Sequence, residues 1–244
     1  MNAGAISRLL GSLGDENIAQ HSQRFFKTGK GGYGEGDRFL GIRVPVLRQH
    51  VRLFRAVAAA EASNLNASGY HEERLFALLL LIDKFKRGND AERVWMHKQY
   101  LANTRYINNG DLVDSSADKI VGAYLDLHSR KPLYKLARSE SLWGRRIAIM
   151  ATFQFIRQLD FSDALAISEL LINDEAELLH KATGWMLRAI GKRDIEVERA
   201  FLDRHCPAMP RTMLRYAIER FEQADRPAYR QAGRSVRRFN NWPA

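Results

Sequence analysis

The chain has 244 residues, enough for one large or two small domains, and 45% of them are hydrophobic, which argues against global disorder. Lys and Arg number 38 against 28 Asp and Glu, so the formal net charge is +10, and nucleic acid is favoured over a membrane surface as the partner. The single cysteine, Cys206, excludes an internal disulfide and a two-cysteine metal site. No signal-peptide pattern is visible, and the longest apolar run, 76–82, is too short to span a bilayer, so we expect a cytoplasmic protein without membrane contact.

Helical periodicity dominates the chain, and strand signals are nearly absent. The predicted helices cover, in chain order, about 3–13, 17–29, 45–60, 70–87, 90–104, 111–128, 131–139, 142–158, 161–173, 175–190, 194–205 and 209–222. Between the second and third of them, residues 29–37 hold five of the 17 glycines and cannot form a regular helix. No phosphate-loop pattern fits these glycines, so we expect either a loop that meets a DNA backbone or a plain helix connection.

A repeat appears when helices with similar openings are aligned, because each places a basic residue just before an apolar run. The spacings are 72, 35 and 34 residues, and the missing member at half of 72 falls at 110–111. We therefore predict an all-α, curved solenoid of HEAT-like antiparallel helix pairs over residues 1–225, followed by a basic tail, 226–244, that either contacts phosphates or frays. The register puts these side chains on one basic concave face: Arg74, Asp111, Asp114, Arg146, Lys181 and Arg215.

Two carboxylates lie three residues apart on one face of the helix predicted to start near residue 111. Asp111 is at the position of a helix N-cap, where an acid stabilises the helix end. Asp114 lies one turn inside, where capping is no longer needed. It is a candidate either for catalysis or for an ion pair with Arg145 or Arg146 of the next repeat.

Several segments, taken in order, resemble the AlkD-type DNA alkylation repair proteins, a family of HEAT-like-repeat DNA glycosylases. The resemblance spans nearly the whole chain and is carried by residues 32–34, 37–45, 109–114, 141–148, 181–188 and 209–217. It implies a DNA glycosylase that removes purines alkylated at N3 or N7 from duplex DNA. It also implies that no metal or redox cofactor is needed, and that the lesion is not drawn into a deep pocket. We expect the protein to act as a monomer.

The resemblance assigns roles to individual residues. Asp114 matches the catalytic carboxylate, which stabilises the oxocarbenium-like transition state and positions water. Arg146 matches an arginine that contacts the phosphate near the lesion, and Trp185 matches an aromatic residue packed around the lesion's sugar. The remaining residues expected to bind DNA are Arg43, Lys181, Arg188 and Arg215.

One position departs from the family pattern, which has tryptophan immediately before the first aspartate, where this chain has Gly110. The alternative function is therefore a non-catalytic protein that binds DNA structure and has lost excision activity. A scaffold for protein partners is disfavoured, because peptide-binding grooves need apolar anchors. The seven histidines show no metal-binding spacing, so we expect no metal.

Overall fold

The computed structural model of the chain describes residues 2–231. Within that range the secondary structure is helical, with one isolated bridge between Arg38 and Tyr70 and no strand. The all-α prediction is confirmed. The predicted basic tail falls mainly on residues 232–244, which lie outside the described part of the chain. None of the helices in the described part is long and apolar enough to cross a membrane.

The helices group into two compact units, Met1–Tyr124 and Leu125–Ala244. The first unit contains α1 (Ala3–Ser12), α2 (Glu16–Phe25), α3 (Val44–Val51), α4 (Ala59–Asn64), α5 (His71–Arg87), α6 (Asp90–Ala102) and α7 (Gly110–Ala117). A π-helical turn, Asp118–Gly122, continues α7 into the short α8 (Ala123–Leu125) at the unit boundary. The second unit contains α9 (Lys131–Ala137), α10 (Leu142–Ala151), α11 (Phe153–Ile156), α12 (Ser162–Leu170), α13 (Glu177–Gly191), α14 (Ile195–His205) and α15 (Arg211–Ala217).

Helix α5 is the centre of the first unit and packs against α3, α4, α6 and α7. Its apolar run, Leu75 to Ile82, is buried on nearly every side, as expected of a helix that is hydrophobic all round. Helix α13 holds the same place in the second unit, where it packs against α10, α12, α14 and α15. Each unit therefore has a buried helix on which its neighbours are positioned.

The helix that was predicted over 45–60 is wrong as a single element. Helix α3 ends at Val51, a 3₁₀ turn follows, and the chain is extended at Ala58 before α4 begins. Phe54 and Val57 are both buried at this bend. Burying both side chains redirects the chain, although the alanines after Val57 favour helix by propensity.

The spacing of the main helices agrees with the sequence repeat. Helices α5, α7, α10, α13 and α15 begin at residues 71, 110, 142, 177 and 211, at intervals of 39, 32, 35 and 34 residues. The assignment of these pairs to the HEAT class and the single-domain boundary at residue 225 stay predictions. The chain continues to pack beyond that boundary, because Arg226 donates to the carbonyl of Phe221 and the Tyr229 ring meets the Phe221 ring edge-on at 5.4 Å.

Candidate functional site

The first turn of α7 carries both carboxylates that the sequence singles out. Asn109, not Asp111, is the N-cap: its side-chain oxygen accepts from the backbone N–H of Gly110 at 2.7 Å. The prediction that Asp111 caps the helix is therefore wrong by two positions. Asp111 lies inside the first turn, where one carboxylate oxygen accepts from the N–H of Leu112 at 2.8 Å and the other is left to face a neighbouring helix.

Asp111 is paired with a histidine from α5. The Nε2 atom of His71 lies 2.7 Å from Oδ2 of Asp111, and its Nδ1 lies 3.4 Å from Oδ2 of Asp37. The same Asp37 oxygen accepts from the guanidinium of Arg74 at 2.7 Å. His71, Asp37 and Arg74 are buried, whereas Asp111 remains partly exposed with 29% of its side chain accessible. These four residues form a line of alternating charge, which we call the His71 chain.

The charges of the His71 chain hold each other in place. Burial alone would lower the pKa of His71, but hydrogen bonds to Asp111 and Asp37 outweigh it and raise that pKa from 6.5 to about 9. Burial alone would raise the pKa of Asp37, but His71 and Arg74 lower it below its usual value. His71 is therefore an imidazolium at neutral pH and donates from both ring nitrogens.

Two phenylalanines enclose the His71 ring. The ring of Phe39 stacks on it at 4.7 Å, and that of Phe26 lies 5.0 Å away at a tilt. Phe26 follows the last residue of α2, and Phe39 follows the glycine-rich segment, so the chain on both sides of the glycines is packed against α5. Aromatic faces also favour a cationic imidazole over a neutral one.

A second buried acid holds residues 40–42, which follow the glycine-rich segment, against α5. The carboxylate of Glu72 accepts from the backbone N–H groups of Leu40, Gly41 and Ile42 at 2.9, 2.8 and 3.2 Å. Gly41 has φ +82°, and a Cβ atom there would lie 1.9 Å from the carbonyl oxygen of Asp15, so only glycine fits. Residues 40–42 are therefore a structural connection. Residues 29–31 are exposed, and their contact with DNA stays a prediction.

Asp114 lies one turn after Asp111 on the same helix and is half-buried. Beneath this turn, the hydroxyl groups of Tyr100 and Ser116 are 2.9 Å apart, and the Ser116 hydroxyl donates to the carbonyl of Leu112. Burial raises the pKa of Tyr100, and the charges of Asp118 and Asp114 act in the same direction. The π-helical turn that begins at Asp118 follows directly, and such turns are frequent at functional sites.

Arg145 and Arg146 lie within α10 in the second unit and have different surroundings. Arg146 is buried, with 6% of its surface exposed, and one guanidinium nitrogen donates to the carbonyl of Leu178 just after the start of α13. Arg145 forms an ion pair with Asp174 at 2.6 Å and donates to the carbonyl of Ser139. Arg145 is therefore a bridge within its own unit.

Helix α13 carries Trp185, Lys181 and Arg188, and all three are partly exposed. The Trp185 ring lies 6.5 Å from the ring of Phe153. Lys181 pairs with Glu177 one turn before it at 3.2 Å. Arg188 pairs with Glu219 after α15.

The other basic residues that were predicted to bind DNA or to line the basic face include both exposed and buried side chains. Arg43, which precedes the first residue of α3, and Arg215 on α15 are exposed. Arg74 is 5% exposed and bound to Asp37, so the expectation that it lines an open basic face is wrong. The segment before α3 covers the start of α5, which removes Arg74 from solvent.

The roles of His71, Asp37 and Glu72 were not predicted from the sequence. A signal for them exists, because a long apolar run follows the ionisable residues 71–74 directly. A helix buried on all sides buries its first turn as well, and buried charges must be paired. Their partners lie 30 or more positions away in the chain, and periodicity does not predict such contacts. In the part of the chain that the structure describes, no group of three or more His, Cys, Asp or Glu side chains could hold a metal ion.

Comparison with known proteins identifies a structural relative and a family. The chain superimposes on a solved structure described as "Predicted DNA alkylation repair enzyme from Enterococcus faecalis" with a TM-score of 0.67 and 16% sequence identity, over 86% of this chain and 97% of that one. At that identity the likeness shows a shared fold. No curated protein sequence matches the chain. The sequence pattern of the DNA alkylation repair enzyme family matches residues 6–221. The chain therefore belongs to the DNA alkylation repair enzyme family.

Proposed function

We propose that this protein is a DNA glycosylase that hydrolyses the N-glycosidic bond of purines alkylated at N3 or N7 in duplex DNA. The observation that carries the proposal is the arrangement of α7, where the half-buried Asp114 follows a first turn anchored through Asp111 to a buried imidazolium. Membership of an alkylation repair family makes DNA the expected target. The specific reaction follows from the chemistry of such lesions.

An N3- or N7-alkylated purine carries a positive charge, so its bond to C1′ of the deoxyribose is already weakened. When that bond breaks, the electron pair leaves with the base, which departs as a neutral molecule, and C1′ acquires oxocarbenium character. A carboxylate near C1′ stabilises this cation and orients water. The water oxygen bonds to C1′ and loses a proton, which leaves an abasic site. We assign the carboxylate role to Asp114.

Asp111 does not take this role in the proposal. Its carboxylate is held 2.7 Å from an imidazolium, which offsets the negative charge that would stabilise a sugar cation. The two acids of α7 thus have separate tasks, with Asp111 anchoring the helix and Asp114 facing the reaction. The resemblance assigned catalysis to Asp114, and the proposal keeps that assignment.

We propose that basic residues of both units bind the DNA phosphates. The exposed Arg43 and Arg215 and the partly exposed Lys181 and Arg188 are suited to this role, because each reaches solvent. A phosphate contact by Arg146 stays a prediction of the resemblance, because its guanidinium is buried and donates to the Leu178 carbonyl. The partly exposed Trp185 would place a face of its ring against the sugar.

The second candidate is a protein that binds DNA structure without excision, and Gly110 favours it. The family pattern places tryptophan at this position, and an aromatic wall beside a sugar cation contributes roughly 0.5–2 kcal/mol. Its loss lowers the rate about two- to thirty-fold by transition-state arithmetic, which slows but does not abolish carboxylate catalysis. We therefore keep the glycosylase as the leading function. Action as a monomer and a cytoplasmic location stay predictions.

One assay separates the two candidates. Purified full-length protein is incubated with a duplex that contains a single 7-methylguanine, and abasic sites are counted after alkaline cleavage. We expect strand cleavage with wild type and a rate lower by about two orders of magnitude or more with Asp114→Asn, at unchanged DNA affinity. Asp90→Asn, whose side chain is fully exposed on α6, is the matched control and should behave as wild type. Tight binding without cleavage would favour the non-catalytic function.

A further inference from the structure

The His71 chain ends at the helix that carries the proposed catalytic residue. It runs from Arg74 through Asp37 and His71 to Asp111, and joins the segment before α3, the start of α5 and the start of α7. Of its members only Asp111 reaches solvent appreciably. Buried charge is costly unless paired and hydrogen-bonded, and so long a buried arrangement requires an explanation beyond helix capping.

Every charged group in the His71 chain lies next to a group of opposite charge. Arg74 and His71 are the cations, Asp37 lies between them, and Asp111 closes the line. Both ring nitrogens of His71 face carboxylate oxygens, which fits an imidazole only when both carry protons. The charged groups that interact with the His71 ring are Asp37, Arg74 and Asp111. They lie in the segment before α3, in α5 and in α7.

The ring is also fixed in orientation. Phe39 lies nearly parallel to it, with 21° between the planes, and Phe26 lies at 32°. Phe26 and Phe39 stack on each other as well, at 5.1 Å, so the three rings form one packed group. A rotation of the imidazole would break both hydrogen bonds and this stacking together. The Nε2–H bond therefore points to one place, the carboxylate of Asp111.

We propose that His71, as an imidazolium, is a positioning residue that holds the first turn of α7 through Asp111 and thereby sets the place of Asp114. This rests on the proposed function of Asp114. Asp114 is three residues from Asp111 on the same helical face, so a shift of the anchored turn moves its carboxylate with it. A displacement of about 1 Å at a reacting group can cost about a hundredfold in rate. The protein thus uses a buried ion pair to fix a half-buried acid.

The first test is a double-mutant cycle with His71→Gln, Asp111→Asn and the double variant. Excision of 7-methylguanine is measured under single-turnover conditions at saturating protein, together with DNA affinity and thermal stability. We expect each single variant to lose about tenfold in rate, with affinity changed less than twofold, and the double variant to lose no more than either single one. His21→Gln, at an exposed position of α2, is the matched control and should match wild type.

A rate for His71→Gln within twofold of wild type would overturn the proposal. Multiplied losses in the double variant would do so too, because the two residues would then act independently. A lower melting temperature without a change in rate would show that the His71 chain is a purely structural feature, and it would also overturn the proposal. Asp111→Asn keeps the shape of the side chain, and so it provides a folded variant if His71→Gln does not fold.

The second test is the pH profile, because loss of the His71 proton removes one of its two ring N–H donors and the positive charge that attracts Asp111. With a pKa near 9 for His71, the wild-type rate should be level from pH 6.5 to 8 and fall above pH 9, whereas His71→Gln should lack that break. A wild-type profile that stays level to pH 10 would contradict the proposal.

A readout without activity separates this proposal from the proposed function. Nitrogen NMR of the DNA-free protein should show both ring nitrogens of His71 protonated at pH 7.5. Amide exchange of residues 111–114 should be faster in His71→Gln than in wild type. If wild type excises no base but both results hold, the glycosylase assignment fails and the anchoring of α7 stands. A neutral His71 or unchanged exchange would refute the anchoring, whatever the activity.

Discussion

Glu198 on α14 is a buried acid whose ionisation should make the stability of the protein depend on pH. It is 2% exposed, and one of its carboxylate oxygens has no hydrogen-bond partner among the described residues. Burial raises the pKa of Glu198 from 4.5 to about 8, although the charge of Arg188 opposes this. The folded protein therefore holds this side chain protonated at a pH where the unfolded chain ionises it.

The direction of the change in stability with pH follows from the difference in proton binding between the folded and unfolded states. Because the folded pKa lies above the unfolded one, the folded state binds the proton more tightly, and stability falls as the pH rises from 4.5 towards 8. Each pKa unit corresponds to about 1.4 kcal/mol, so between pH 5 and pH 7.5 the loss is about 3 kcal/mol. A glutamine at this position keeps the shape without the ionisation. Glu198→Gln should therefore gain about 3 kcal/mol relative to wild type over that interval.

Urea unfolding at pH 5, 6 and 7.5 measures this effect. With a slope of about 3 kcal/mol per molar, the unfolding midpoint of Glu198→Gln should rise relative to wild type by about 1 M between pH 5 and pH 7.5. Glu196→Gln, on the same helix with a mostly exposed side chain, is the control and should show no such trend. If the midpoints of Glu198→Gln and wild type keep a constant difference across this range, Glu198 ionises normally and the reasoning is refuted.

Three further predictions follow from close contacts and from the departure from the family pattern. Gly184→Ala should destabilise the protein by about 1–3 kcal/mol in thermal melts, because its Cβ would lie 2.3 Å from the carbonyl oxygen of Met213; Gly11→Ala, with open space around it, should not destabilise. Glu72→Ala should leave three backbone N–H groups before α3 without their acceptor, and limited proteolysis should then cut the glycine-rich segment faster than in wild type. Gly110→Trp should raise 7-methylguanine excision by about two- to thirty-fold, and an unchanged rate would show that no aromatic wall is needed there.

Local sequence patterns predict most of the helices because their starts are encoded nearby. Asn89 and Glu92 form a capping box at the start of α6, and Asp194 caps α14, so these boundaries follow from residues within one turn. The break after Val51 does not follow in this way. It depends on burial of Phe54 and Val57, a tertiary effect that outweighs the helix propensity of the alanines around it.

The candidate site likewise has features that the local sequence predicts and contacts that it does not predict. The three-residue spacing of Asp111 and Asp114 puts them on one helical face, as expected. The partner of Asp111 lies 40 residues earlier in the chain, and no periodic pattern predicts that contact. Arg74 shows the same limit, because its place in the repeat gave the correct helix position but not the cover that Asp37 and its segment put over it.

Release of free base measures directly whether Asp114 makes this protein a glycosylase. Duplex DNA with one 7-methylguanine is incubated with excess full-length protein, and the released base is quantified by mass spectrometry for wild type and Asp114→Asn. We predict stoichiometric release by wild type and a rate lower by about two orders of magnitude or more in the variant. Release at equal rates by both proteins, or no release by wild type on DNA that it binds, would contradict the account.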